Sequence, residues 1–266
     1  MLEHATNLKL LIRAGSGLDN LDFPFATELG IDLVRIPEPG AQAVAELAFG
    51  LMLNLAREIR FVDNQLRRGY WAKQHTTGYT LHKKILGIVG AGNIGSRVGE
   101  MATAWGMEAV GCVQNADQAD INKLKQCGIR LSSLKDVVTT ADFLTIHVPK
   151  TQSTLNLIDR EVISWMKPGS FLVNLARGGV VDEKALYDAL QSKKGLIGAA
   201  LDVHELEGDG VISPLAKLSN VILTPHIGAT TVDTMREIGD RVIATIESHL
   251  YDCSQKPPKL SLPTAT

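Results

Sequence analysis

An α/β fold built on a doubly wound parallel sheet is predicted by three observations on this 266-residue sequence. Short runs rich in Val, Ile and Leu alternate with helix-length amphipathic stretches, which is the signature of strand–helix–strand units. The runs are apolar at nearly every position, as strands buried on both faces are. A glycine-rich turn follows the most hydrophobic of them.

In chain order the strands are expected at residues 8–13, 32–36, 85–89, 108–113, 143–147, 170–174, 197–202 and 221–224. Residues 42–60 carry apolar side chains at helical spacing and predict a buried helix. Residues 60–84 are polar and irregular and read as the passage between two domains, and residues 232–251 form a helix that returns to the N-terminal piece. The tail, residues 252–266, with Pro257, Pro258 and Pro263, is expected to be disordered. This sets domain expectations of 1–57 for the first part of a smaller domain, 58–230 for the larger domain, and 231–266 for the returning helix and tail. The first piece has only two strands, thin for an independent layer and exposed to an unpaired sheet edge.

Composition narrows the function. A net charge of −2, with no basic stripe, argues against nucleic acid as partner. No apolar run reaches the roughly 18 residues of a membrane span, and the first residues lack signal-peptide features. Cys112, Cys127 and Cys253 show no paired spacing, so a soluble, cytoplasmic protein without a disulfide framework is expected. The histidines show no HExxH or Cys/His pairing, so no metal site is expected.

The strand at 85–89 runs into Gly90-Ala91-Gly92-Asn93-Ile94-Gly95 and then a helical pattern. A GxGxxG in that context is the dinucleotide fingerprint of a Rossmann domain. Gly90 permits the tight turn, Gly92 lets backbone approach a pyrophosphate, and Gly95 allows close helix–strand packing beside the positive end of the helix. An acidic residue for the adenosine ribose is expected about 20 positions on, but residues 112–115 are Cys, Val, Gln and Asn. No cation replaces it to favour a 2′-phosphate. The expected cofactor is therefore NAD, with NADP left open.

Three ionisable residues follow three successive later strands: Arg177, Glu207 and His226. A guanidinium grips a carboxylate bidentately. A histidine takes or gives a hydroxyl proton, and a carboxylate beside it orients the ring. With a nicotinamide, this set suits hydride transfer between a 2-hydroxy acid and its 2-keto acid. Each residue also has an ordinary reading: a structural ion pair for Arg177, a solvated loop acid for Glu207, a turn histidine for His226. Asp202 either faces the nicotinamide or caps its turn. His147, ending another strand, either lines the cofactor cleft or is packed in the core. Arg35, Lys73 and Gln74 either reach a distal phosphate or are simply exposed.

The chain resembles the D-isomer-specific 2-hydroxyacid dehydrogenases over residues 8–249. The resemblance is carried by residues 13–20 (RAGSGLDN), the glycine fingerprint, Met166 to Gly169 leading into residues 174–182, residues 198–203 with Glu207, and residues 225–229 (PHIGA). Residues 13–20 look most like the catalytic core of the phosphoglycerate-oxidising members. The resemblance implies Arg177, Glu207 and His226 as catalytic residues and a flavodoxin-like smaller domain. It implies that backbone amides at Ser16 and Gly17 bind the substrate carboxylate, with Arg177. It implies cofactor contacts from Asn93, Ile94, Val148, Leu175, Ala176, Asp202 and Ala229, and a homodimer. Two departures are noted: Val113 stands at the acidic ribose position, and a strand–helix–strand unit on the order of 30 residues ahead of Arg13 is expected to be missing. The alternative reading is a dinucleotide-sensing module that binds a protein partner on the same scaffold.

Overall fold

A computed structural model describes all residues except Met1, Thr6, Ser16, residues 18–20, Glu38 and residues 256–266. The larger of two compact units, Ala41–Ala229, is organised around a seven-stranded sheet. Its strands are β3 (Ile85–Val89), β4 (Glu108–Cys112), β5 (Ile129–Leu131), β6 (Phe143–Ile146), β7 (Phe171–Asn174), β8 (Gly198–Leu201) and β9 (Val221–Leu223). They are all parallel, in the order β5-β4-β3-β6-β7-β8-β9. The order reverses at β3, the topological switch point where such sheets bind ligands. The predicted doubly wound sheet is therefore present, and β6, β7 and β8 are buried at every position. Strand β5 escaped sequence reading because it is three residues long and holds Arg130 at its centre.

Helices α4 (Asn93–Ala104), α5 (Gln118–Gln126), α6 (Leu134–Thr140), α7 (Arg160–Trp165) and α8 (Glu183–Gln191) connect the strands. The starts of α5 to α8 follow capping chemistry: Asp117, Ser133, Asp159 and Asp182 each accept a backbone N–H from the first turn. Two apolar clusters form the core. One gathers Phe143, Phe171, Leu86 and Ile88 with Ala45, Ala48, Phe49, Met52 and Leu55. The other centres on Leu144, Ile146, Leu172, Leu186 and Leu201.

Those contacts correct one domain expectation. Helix α2 runs Pro39–Arg57, and its apolar stripe packs into the core of the larger unit, which begins at Ala41 rather than 58. The physical reason is that stripe: Ala41, Ala45, Ala48, Met52 and Ala56 are each under 2% exposed, too apolar to belong to a thin layer. Residues 60–84 are also not wholly irregular. Glu58 turns the chain with φ 51, and helix α3 (Ile59–Arg67) follows with none of its residues buried. Its five polar residues outnumber its four apolar ones, so the short run reads as loop although Ile59, Val62 and Leu66 fall at helical spacing.

The smaller unit comprises residues 1–40 and 230–266. Its strands β1 (Leu10–Arg13) and β2 (Asp32–Arg35) pair in parallel across helix α1 (Phe23–Glu28). Helix α9 (Val232–Gln255) belongs to it, and His249 Nδ1 lies 3.5 Å from the Asp32 carboxylate. The helix runs through residues 252–255, where a disordered tail was expected; residues 256–266 of that tail lie outside the described residues. Among the described residues no helix is long and apolar enough to cross a membrane.

Candidate active site

Two groups of residues lie at the C-terminal edge of the seven-stranded sheet. The first follows β3. Gly90, at φ +92, turns the chain, and its N–H, with that of Ala91, is tied to the carbonyl of Cys112 at the end of β4. A Cβ on Gly90 would stand 2.7 Å from Val148 Cγ1 and 2.8 Å from the His147 carbonyl, so only glycine fits. A Cβ on Gly95 would stand 2.3 Å from the Gly90 carbonyl, which is the close helix–strand approach anticipated for it. Around Gly92 a Cβ would meet nothing within 4 Å. That open backbone at the start of α4 leaves the first-turn N–H groups without a side-chain cap, an arrangement able to receive an anion. Beside it a cavity of about 280 Å³ is lined by Gly90, Val113, Gln114, Ser133, Val148 and Thr154, among others. These features suit a dinucleotide.

The second group follows β7, β8 and β9, three neighbouring strands. Arg177 comes three residues after β7. The buried Asn174 shapes that turn: its Oδ1 accepts the N–H of Ala176 at 3.0 Å. The Arg177 side chain is half-buried and donates to the Ala176 carbonyl at 2.7 Å. The next residue is pressed against the loop after β8, since a Cβ on Gly178 would stand 1.6 Å from the His204 carbonyl.

Glu207 lies on that loop. One of its oxygens accepts the backbone N–H of His204 at 3.1 Å; the other pairs with Nδ1 of His226 at 2.9 Å. Partial burial pushes the Glu207 carboxyl upward, but the hydrogen bonds from His226 and His204 outweigh it and hold it below the ordinary carboxylate value. His226 follows β9 in a left-handed conformation, φ 54. Asp202 creates that turn. Its carboxylate accepts from the hydroxyl of Thr224 and the N–H groups of Ile227 and Gly228, at 2.6, 2.9 and 2.8 Å. With Nδ1 committed to Glu207, Nε2 of His226 is the nitrogen left to act. A cavity of about 510 Å³ opens beside the pair, lined by His204, Glu207, Thr224 and His226 together with the apolar Leu206 and Ile212.

Other expected site residues fall differently. Asp202 is 1% exposed with both oxygens engaged, so of its two readings the structure supports the turn cap. His147 has Nε2 on the Thr145 hydroxyl at 2.9 Å, while its Nδ1 is buried without a hydrogen-bond partner. Burial without a charged partner drives its pKa down to about 3, which keeps it neutral. Leu175 and Ala176 are buried and belong to the two core clusters. Asn93 is exposed at the start of α4, where its side chain accepts from Arg97; Ile94 and Val148 are half-buried and Ala229 is exposed. Gly17 belongs to the smaller unit, where its carbonyl accepts from Arg13 Nε at 2.7 Å; Ser16 lies outside the described residues. Among the described residues no three His, Cys, Asp or Glu are placed to hold a metal ion. Sequence reading missed the parts played by Asn174, Thr224 and His204, which act through local hydrogen bonds that leave no periodic signal.

The family model described as "D-isomer specific 2-hydroxyacid dehydrogenase, NAD binding domain" matches residues 49–228. A hydroxypyruvate reductase of Thermotoga maritima is 40% identical over 94% of this chain and 80% of its own length. A D-3-phosphoglycerate dehydrogenase of Methanocaldococcus jannaschii is 41% identical over 94% of this chain, which spans only 47% of that protein. Among solved structures, a D-lactate dehydrogenase from Aquifex aeolicus complexed with NAD and lactic acid superposes with a TM-score of 0.82 at 30% identity, covering 92% of this chain and 77% of that one.

Proposed function

The chain belongs to the D-isomer-specific 2-hydroxyacid dehydrogenase family, and from that premise we propose that it interconverts a small D-2-hydroxy acid and its 2-keto acid, with glyoxylate, hydroxypyruvate and phosphohydroxypyruvate as candidate substrates. The observation that carries the reading is the hydrogen bond between Glu207 and His226 after β8 and β9, with Arg177 after the neighbouring β7, on the sheet that also bears the glycine turn. When bound, the nicotinamide supplies or receives the hydride.

In this reading Arg177 holds the substrate carboxylate, a fork-shaped donor set meeting a planar acceptor. His226 Nε2 carries the proton to the keto oxygen in reduction and takes it from the hydroxyl in oxidation. Glu207 accepts from Nδ1 and so keeps the ring aimed with Nε2 toward the substrate. Asp202 acts on His226 only through the turn that it holds. Val113 and Gln114, at the ribose end, bring neither the acid that reads a 2′-hydroxyl nor a cation for a 2′-phosphate. We also propose a homodimer, supported by exposed Phe61, Leu66, Tyr70 and Trp71 on the larger unit; light scattering in solution tests it.

The experiment is NADH and NADPH oxidation with the three keto acids, alongside direct titration of NADH. Turnover of at least one keto acid supports the enzyme reading. NADH binding with no turnover of any would favour the dinucleotide-sensing alternative.

A further inference from the structure

One buried carboxylate of the larger unit has no part in that chemistry. Glu183 opens helix α8 and is 9% exposed. Its Oε1 accepts the N–H of Glu205 at 2.7 Å, and its Oε2 accepts the hydroxyl of Ser213 at 2.7 Å. Glu205 answers in kind, its Oε1 accepting the N–H of Glu183 at 3.1 Å. Two glutamates thus each hold the other's backbone. The arrangement satisfies a helix-end N–H that would otherwise lack a partner, and it seizes both ends of the loop 204–213.

That loop carries Glu207, and Glu183 lies six residues beyond Arg177 on a segment already pressed against the loop at Gly178. A buried charge is costly unless fully hydrogen-bonded, so a helix start would not retain one for solubility. We propose that Glu183 is a positioning residue of the dehydrogenase reaction: its carboxylate clasps the Glu207 loop to the segment that carries Arg177. The clasp fixes the spacing between Arg177, which holds the substrate carboxylate, and Glu207, which aims His226. The inference rests on the dehydrogenase reading above.

The test uses Glu183→Ala, Glu183→Gln and Ser213→Ala in the full chain. Glutamine replaces both contacts: its carbonyl accepts from Glu205, and its amide donates to the Ser213 oxygen. For Glu183→Ala, kcat falls on the order of 10- to 100-fold, the scale of a small misplacement of a reacting group, while NADH affinity is unchanged. Glu183→Gln restores most of kcat. Ser213→Ala, which leaves the Glu205 contacts in place, falls between and serves if the alanine variant at 183 does not fold. Full kcat in Glu183→Ala, or equal loss in the alanine and glutamine variants, would overturn the proposal. Hydrogen exchange separates the two ideas: if the wild type turns over no keto acid, the dehydrogenase reading fails. The clasp itself then stands only if the amides of residues 204–213 lose protection in Glu183→Ala and keep it in Glu183→Gln.

Discussion

The turn after β3 and the loops after β7, β8 and β9 lie on the same edge of the same sheet, yet they encode function in opposite ways. After β3 the function is an absence of side chains: Gly90, Gly92 and Gly95 leave room for backbone to meet a ligand and for a helix to approach a strand. After β7 to β9 it is a presence, three side chains separated by 30 and 19 positions in sequence and set on loops after three neighbouring strands. The first can be read from six consecutive residues. The second can be read only after the strands are recognised, because nothing local distinguishes Glu207 from the acids around it. At Gly90 and Gly95 an added Cβ would clash, whereas the other loops act through the side chains they carry.

That contrast can be broken from either side. The largest effect is expected for Arg177→Ala: turnover falls on the order of 10²- to 10³-fold or more, while NADH titration is nearly unchanged. Lost NADH binding would mean the two regions are not separable. Gly95→Ala should do the reverse. Its Cβ would fall 2.3 Å from the Gly90 carbonyl, and thermal unfolding should report a loss of about 1–3 kcal/mol together with weakened NADH binding. Val113→Asp is smaller, shifting the NADH-to-NADPH affinity ratio toward NADH by roughly tenfold, the worth of about 1.4 kcal/mol in a hydrogen bond to the ribose. An unchanged ratio would place ribose recognition elsewhere in the cavity. The smallest is a pH effect. Glu207 is held below its ordinary value of 4.5, so its contribution to stability is present above that pH and fades as pH falls through the lowered value. Wild type and Glu207→Gln should therefore differ slightly at neutral pH and converge in acid. The difference is small because the pair is 47% and 41% exposed.

Much of this was legible beforehand where the chain is buried. Among the described residues, seven of the nine strands lie in the larger unit, and all but the short β5 announce themselves as apolar runs, because burial on both faces leaves no polar alternation. The glycine turn and the set Arg177, Glu207 and His226 followed from those strands. What stayed hidden depends on packing partners remote in sequence. Whether α2 belonged to the first unit or the second was decided by where Ala45 and Met52 found apolar neighbours, not by their spacing. Asp202 and His147 were ambiguous because a polar residue at a strand end reads the same whether it meets a ligand or a neighbouring turn. The structure shows three hydrogen bonds by which Asp202 caps its turn, and a buried ring at His147. Glu183 looked like an ordinary helix-start acid, and only its reciprocal bonds with Glu205 distinguish it.

The central claim is that the loops after β7 to β9 perform chemistry on a ligand that the turn after β3 helps to hold. The most direct test is His226→Asn, a side chain that tolerates the left-handed backbone at this position, with NADH binding and keto-acid reduction measured on one preparation. The account predicts wild-type NADH affinity and a reduction rate lowered on the order of 10²-fold or more. Retained turnover, or turnover and NADH affinity lost together, would contradict it.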